Sequence, residues 1–165
     1  MAELTKLESK LGEVLGLAMA AQRAVKQVDG MLDEDQGPLS ARLVQMGNES
    51  RQTEERCTAL AGEFDGKKTV ILDKAKEVRD EVTEMMDTYL AGEDEALDGF
   101  EFLTMAEAGE VGHWSIVGKL NERAGNPSVA ELVEWALPIQ RRHLDDVLDA
   151  SLQVAAAEDP DEIEG

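Results

Sequence analysis

The sequence predicts an all-α fold, a four-helix bundle in which a fifth helix crosses over between two hairpins. Three observations lead there. Apolar residues recur in steps of three and four through five successive stretches, and nowhere does a period of two persist long enough for a strand. The chain is 42% hydrophobic yet only 4% aromatic, with 7 Met, so its core is expected to be aliphatic and methionine-rich. Four of the stretches run for about 25–30 residues, on the order of 40 Å as helices, which suits a long bundle better than a compact crossed-helix packing.

The first helix is carried by Leu4, Leu7, Leu11, Val14, Ala18, Ala21, Val25 and Val28, and Gly30 together with the segment 33–38 ends it. Its centre is slim, with Gly16, Ala18, Ala20, Ala21 and Ala24, so a neighbour is expected to approach closely there. A second helix from about Pro38 to Phe64 turns Leu39, Leu43, Met46, Ser50, Thr53, Cys57, Leu60 and Phe64 inward, which gives it a polar middle. After the Asp65-Gly66 turn, Ile71, Ala75, Val78, Val82, Met85 and Tyr89 define a third helix to about Leu90. The fourth spans about Asp94 to Arg123. The fifth runs from Pro127, at the favoured first-turn position, to about Ala157, and Pro138 is expected to kink it.

A faint internal repeat supports the pairing of these helices. Leu17-Ala18-Met19-Ala20 resembles Leu103-Thr104-Met105-Ala106, and the segment from Pro38 resembles that from Pro127, at offsets of 86 and 89 positions. The first and second helices would then form one hairpin, the fourth and fifth another, with the third as the connection. Residues 1–157 form a single bundle domain in this reading. Residues 158–165 carry five acids and no apolar face, so they are expected to be a disordered tail.

Charge narrows the function classes. With 36 acidic against 16 basic residues the net charge is −20, so a phosphate backbone or an anionic membrane is repelled, and neither nucleic acid nor membrane is expected as a partner. No run of apolar residues is long enough to span a bilayer. The polar start and the lone cysteine point to a cytoplasmic protein. Cys57 falls on the inward stripe with nothing cationic near it in sequence, which fits a small buried hydrophobe.

The informative anomaly lies in the fourth helix. Its inward stripe reads Ala96, Phe100, Leu103, Glu107, Glu110, Trp114 and Val117, which puts two carboxyl groups where apolar side chains belong. A buried carboxylate without a partner costs several kcal/mol or takes up a proton, so each needs a cation, a metal or a hydrogen-bond network. On the fifth helix the stripe Val129, Leu132, Ala136, Ile139, His143, Val147, Ala150 and Val154 brings an imidazole inward. Glu110 and His113 add an E-x-x-H step, whose spacing places both side chains on one helical face.

The stretch from Ala106 through Trp114, continued by Gln140-Arg141-Arg142-His143, resembles the ferritin-like helical bundles, and within them the bacterial stress-response proteins of the YciF type. Lys67-Lys68 adds a weaker likeness. The resemblance covers most of the chain and implies a ferritin-like four-helix bundle with a long crossover, homodimeric, around a two-metal carboxylate centre. It implies Glu107, Glu110 and His143 as metal ligands with Glu54 as a fourth, His113, Gln140 and Arg51 around them, and Fe or Mn as the metal. The chain departs from the family at Gln140, where an acid is expected, and in the first hairpin. Through the repeat, Ala21 and Ala24 stand opposite Glu107 and Glu110, and Arg51 and Glu54 opposite Gln140 and His143. The site is therefore reduced, sufficient for one ion rather than two, and iron or peroxide redox work is the implied activity.

The same residues admit a reading without catalysis. Glu107 and Glu110 could be neutralised by Arg51, Arg141 or Arg142 in a polar layer that fixes helix register. His143 could be an ordinary core histidine, and Trp114 and Trp135 packing residues. The protein would then be a helical scaffold for a partner protein or a small hydrophobic ligand.

Overall fold

The computed structural model describes residues 2–164, and it is all-helical, with no strand among those residues. Five α-helices follow one another: α1 (Lys6–Asp29), α2 (Gly37–Ala61), α3 (Lys68–Tyr89), α4 (Ala96–Ala124) and α5 (Pro127–Ala156), with one 3-10 turn at Glu34–Gln36 before α2. Local chemistry sets their ends. Thr5 and Glu8 form a reciprocal capping box on α1. α4 stops at Gly125, whose φ of 65° is left-handed and suits glycine, and Asn126 caps α5 by accepting from the Val129 N–H at 3.1 Å. α2 ends at Ala61, three residues short of the expected Phe64, because a turn beginning at Gly62 takes over and leads into the left-handed Gly66.

Pairwise contacts give the helix directions. Val28, at the end of α1, and Met31 just after it face Gly99 at the start of α4, and Glu13 faces His113, so α4 runs antiparallel to α1. Arg42 meets Asp149, Glu49 meets Arg142, and Glu63 meets Ser128, so α2 and α5 are antiparallel. α1 packs on α2 and α4, and α5 closes the ring by packing on α2 and α4. The four helices thus run up, down, down and up in chain order. α3 returns the chain from the lower end of α2 to the upper end of α4, lying parallel to α1: Gly12 faces Lys74, Gly16 faces Val78, and Arg23 faces Asp87. Lys67, at the foot of α3, binds Glu8 at 3.1 Å and pins the two helices at their common end.

Two apolar clusters fill the bundle. One holds Val28, Leu43, Met46, Met86, Phe100, Leu103 and Val147; the other holds Leu11, Leu15, Cys57, Ala75, Trp114 and Leu132. Three inward assignments shift. On α3 Met86 is buried while Met85 and Tyr89 are exposed, because the inward line steps by four from half-buried Val82 to Met86 and Leu90. On α5 Gln140, not Ile139, faces the core, one helical turn from both Ala136 and His143. α1 buries far more than one stripe, including Gly12, Leu15, Gly16 and Ala20, since it is packed from three sides. α5 continues as one helix through Pro138, whose exposed face leaves the Glu134 carbonyl, deprived of its helical donor, open to water. Beyond α5, residues 158–164 are exposed and contain a turn in which Glu162 N–H donates to the Asp159 carbonyl. No helix among the described residues is long and apolar enough to cross a membrane.

Of the described glycines, Gly16 is the one most closely covered, where α1 lies on α3. A Cβ added at Gly16 would lie 2.4 Å from the Ala75 carbonyl oxygen, a backbone atom that cannot move aside. Gly16→Val is therefore expected to destabilise the protein by about 1–3 kcal/mol, lowering the melting temperature by roughly 3–10 °C in a thermal scan followed by circular dichroism. An unchanged melting temperature would contradict this close approach.

Candidate functional site

The antiparallel register of α1 and α4 sets the Gly16–Ala21 stretch opposite Glu107 and Glu110, and the small side chains of that stretch leave room for two carboxyl groups. Both acids are buried, as are Gln140 and His143 on α5 and Ser50 and Thr53 on α2. A polar layer thus crosses the bundle between the two apolar clusters, made by side chains of α2, α4 and α5 against the slim middle of α1.

His143 is its centre. The ring is fully buried, its Nε2 lies 3.2 Å from Glu49 Oε1, and its Nδ1 lies 3.7 Å from Glu107 Oε2. A carboxylate only accepts, so the Glu49 contact fixes a proton on Nε2. Glu49 is held in turn by the Arg142 guanidinium, which grips both carboxylate oxygens, one of them at 2.9 Å. Burial alone would raise the Glu49 carboxyl, but the hydrogen bonds and charges of Arg142 and His143 outweigh it and hold Glu49 below the usual carboxylate range. Burial alone would likewise lower the His143 imidazole, and Glu107 and Glu49 together outweigh it and push it up.

Glu110 lies one turn along α4 from Glu107. Burial, reinforced by repulsion from Glu107, raises its carboxyl well above the ordinary value. The nearby Cys57 thiol is pushed up by burial first and then by the charges of Glu110 and Glu54, which leaves it far from thiolate. Glu54 sits at the edge of the layer and accepts from Gln22 Nε2 at 2.6 Å.

Five buried polar atoms lack a hydrogen-bond partner among the described residues: Ser50 Oγ, Glu107 Oε2, His143 Nδ1 and both amide atoms of Gln140. An unmet buried group costs roughly 1–3 kcal/mol, so this concentration in one layer marks a place with unspent bonding capacity. No three His, Cys, Asp or Glu side chains among the described residues stand close enough to form a ready-made ligand set. His143 stands between Glu49 at 3.2 Å and Glu107 at 3.7 Å, with Glu110 one turn along α4 from Glu107.

The structure therefore brings Glu107, Glu110, His143 and Gln140 together and leaves the other sequence candidates outside. Arg51 is exposed and pairs with Glu55 at 2.9 Å. His113 is 39% exposed, bonded to the Gly109 carbonyl at 2.8 Å, with Glu13 3.7 Å away. Arg142, weighed as a counter-ion for Glu107 or Glu110, goes to Glu49 instead. Trp114 is fully buried packing, and Trp135 lies under the Arg56 guanidinium at 4.1 Å. Glu49 is the residue that sequence reasoning missed. Its signal was positional: it lies three residues after Met46 and four before Thr53, on the shoulder of the inward stripe of α2.

Glu110 provides a test of this electrostatic picture. An acid whose native pKa is raised makes the fold lose stability as pH climbs from the unfolded value, near 4.5, through the native one. In chelator-treated protein, the unfolding free energy of the wild type minus that of Glu110→Gln is expected to fall as pH rises from about 4.5. Urea titrations at a series of pH values measure it, and a pH-independent difference would mean that Glu110 is not held protonated by burial.

Comparison of the chain with protein-family models, with curated proteins and with solved structures finds no match.

Proposed function

We propose that the protein is a ferritin-like bundle of the stress-response kind, whose central layer binds a single divalent iron or manganese ion for iron or peroxide redox chemistry. The observation that carries this reading is the buried pair Glu107 Oε2 and His143 Nδ1, both unpartnered and 3.7 Å apart. An imidazole nitrogen and a carboxylate oxygen are the ligand types that iron and manganese take, and these two would hold such an ion between them. The Glu49 contact supports it further. With the Nε2 proton committed to a carboxylate, the Nδ1 lone pair of a neutral ring points toward Glu107, the arrangement by which an outer carboxylate orients a metal-bound histidine.

Glu107 and His143 would hold the ion, and Glu110 would join them by giving up its proton. The Gln140 amide oxygen can add a weak neutral ligand, while Glu54 would have to leave Gln22 to reach inward. A redox-active ion there would supply one-electron chemistry with peroxide. The protein's own part is to keep that chemistry dry: the ring at His143 is 0% exposed and Trp114 and Cys57 seal the layer from one side. The up, down, down, up order of the ring, with the chain returned along α3, is the connectivity that such a bundle requires.

A second reading has its own support. The Glu49–Arg142–His143 network ties α2 to α5 without any ion, which is what a layer that fixes helix register in a scaffold would do.

Metal titration separates the two. For chelator-treated protein, Mn2+ or anaerobic Fe2+ at about 100 times its dissociation constant should raise the melting temperature by roughly 5–11 °C. Glu107→Ala and His143→Ala should each abolish the rise, with stoichiometry in the wild type near one ion per chain. No metal-dependent rise, or one that survives in both variants, would leave the register layer as the function of these residues.

A further inference from the structure

The outer face of α4 is unlike the rest of the surface. In a chain that is 32% Asp, Glu, Lys and Arg, the two such residues on α4 between Phe102 and Gly118, Glu107 and Glu110, are both buried, and the half-buried His113 turns aside toward Glu13. Outside, Met105 (55% exposed), Gly109, Gly112 and Ile116 (45% exposed) form one line at steps of four, three and four, flanked by exposed Ala108 and by Ser115, whose hydroxyl donates to the Val111 carbonyl. Thr104 meets Ser151 at 3.2 Å, which sets exposed Leu152 of α5 alongside Met105 and widens the apolar strip.

The two glycines are not explained within the chain. A Cβ at either would meet nothing within 4 Å, whereas one at Gly118 would press on Val133 at 3.1 Å. A glycine in a helix interior costs about 1 kcal/mol relative to alanine. Gly109 and Gly112 therefore destabilise α4 with no return from packing inside the monomer, as expected where an outside backbone comes close.

The ends of the same line identify that backbone. Before Met105 the line carries Asp98 and Glu101; after Ile116 it carries Lys119 and Arg123. The pattern is acid, apolar, glycine, glycine, apolar, base, and its centre falls between Gly109 and Gly112. Turned about a two-fold axis through that centre, it complements itself: glycine meets glycine, Met105 meets Ile116, Glu101 lies near Lys119, and Asp98 meets Arg123. We infer that α4 is the interface of a two-fold homodimer, in which the α4 helices of two copies cross antiparallel at Gly109 and Gly112. A second copy bears the same charge of −20 and is repelled by most of the surface. This strip is where repulsion is absent and its ends attract. The inference rests on the α4 surface alone, apart from any metal at the central layer.

Sedimentation equilibrium of the full chain at micromolar concentration is expected to give twice the chain mass of 18.0 kDa. Gly112→Glu, which has open space in the monomer, should keep the helical circular dichroism and raise the dissociation constant roughly a hundredfold, because it places like charges at the axis. Lys119→Glu should weaken the dimer about tenfold, since two symmetric contacts reverse sign, and Glu101→Lys in the same chain should restore it. For the register, a chain with Met105→Cys mixed with one carrying Ile116→Cys should give a disulfide-linked pair on oxidation, while neither does so alone; Cys57 is buried and does not compete. A single-chain mass for the wild type, a Gly112→Glu variant that stays dimeric, or self-linking of the Met105→Cys chain would each overturn the inference.

Discussion

The structure depends on how thin α1 is. Gly12, Gly16, Ala18, Ala20, Ala21 and Ala24 strip that helix of bulk over its middle three turns, and in consequence three other helices can lie against it at once. On one side the absence of a Cβ at Gly16 lets the backbone of α3 come within contact distance, which is what allows the crossover to be a packed helix instead of a loose strand of chain. On another side, the same small residues face α4 where it carries Glu107 and Glu110. Larger side chains there would press the two carboxyl groups against each other and against His143.

Burying charge in the middle of a helical bundle is expensive, and the chain spreads the expense over several helices. Glu49 and Arg142 approach from the shoulder of the layer, where each retains some exposure, and hold one nitrogen of His143. Glu107 approaches the other nitrogen. Burial and the neighbouring Glu107 bias Glu110 toward its neutral form, which lowers the expense. The outcome is a graded site: ion-paired and hydrogen-bonded on the α2–α5 side, underbonded on the α4 side. The two apolar clusters above and below keep water from the layer and keep its electrostatics strong.

Much of this was legible in the sequence, for identifiable reasons. Helix number, order and approximate ends followed from apolar spacing and from Gly and Pro at the breaks, because these act within a few residues. Glu107, Glu110 and His143 stood out because a charge on an apolar stripe is a local contradiction. The rest required tertiary knowledge. Met86 and Gln140 were each displaced by one position from the expected stripe, since the buried side of a helix is set by where its neighbours lie and drifts when it is packed at an angle. Glu49 was invisible because a shoulder position can point to solvent or to a neighbour, and only the antiparallel pairing of α2 with α5 decides. Arg142 went to Glu49 for the same reason: adjacency in the fold, and not charge alone, chooses the partner.

Cys57 turns these features into a clock. Its thiol is wholly buried, sits in the apolar cluster beside the polar layer, and is held protonated by its surroundings, so neither alkylating reagents nor oxidants can reach a reactive thiolate while the bundle is closed. The rate at which a disulfide reagent modifies the native protein then counts excursions in which α2 separates from its neighbours. Because this is the chain's one cysteine, that count comes from a single known depth in the structure without any engineered label.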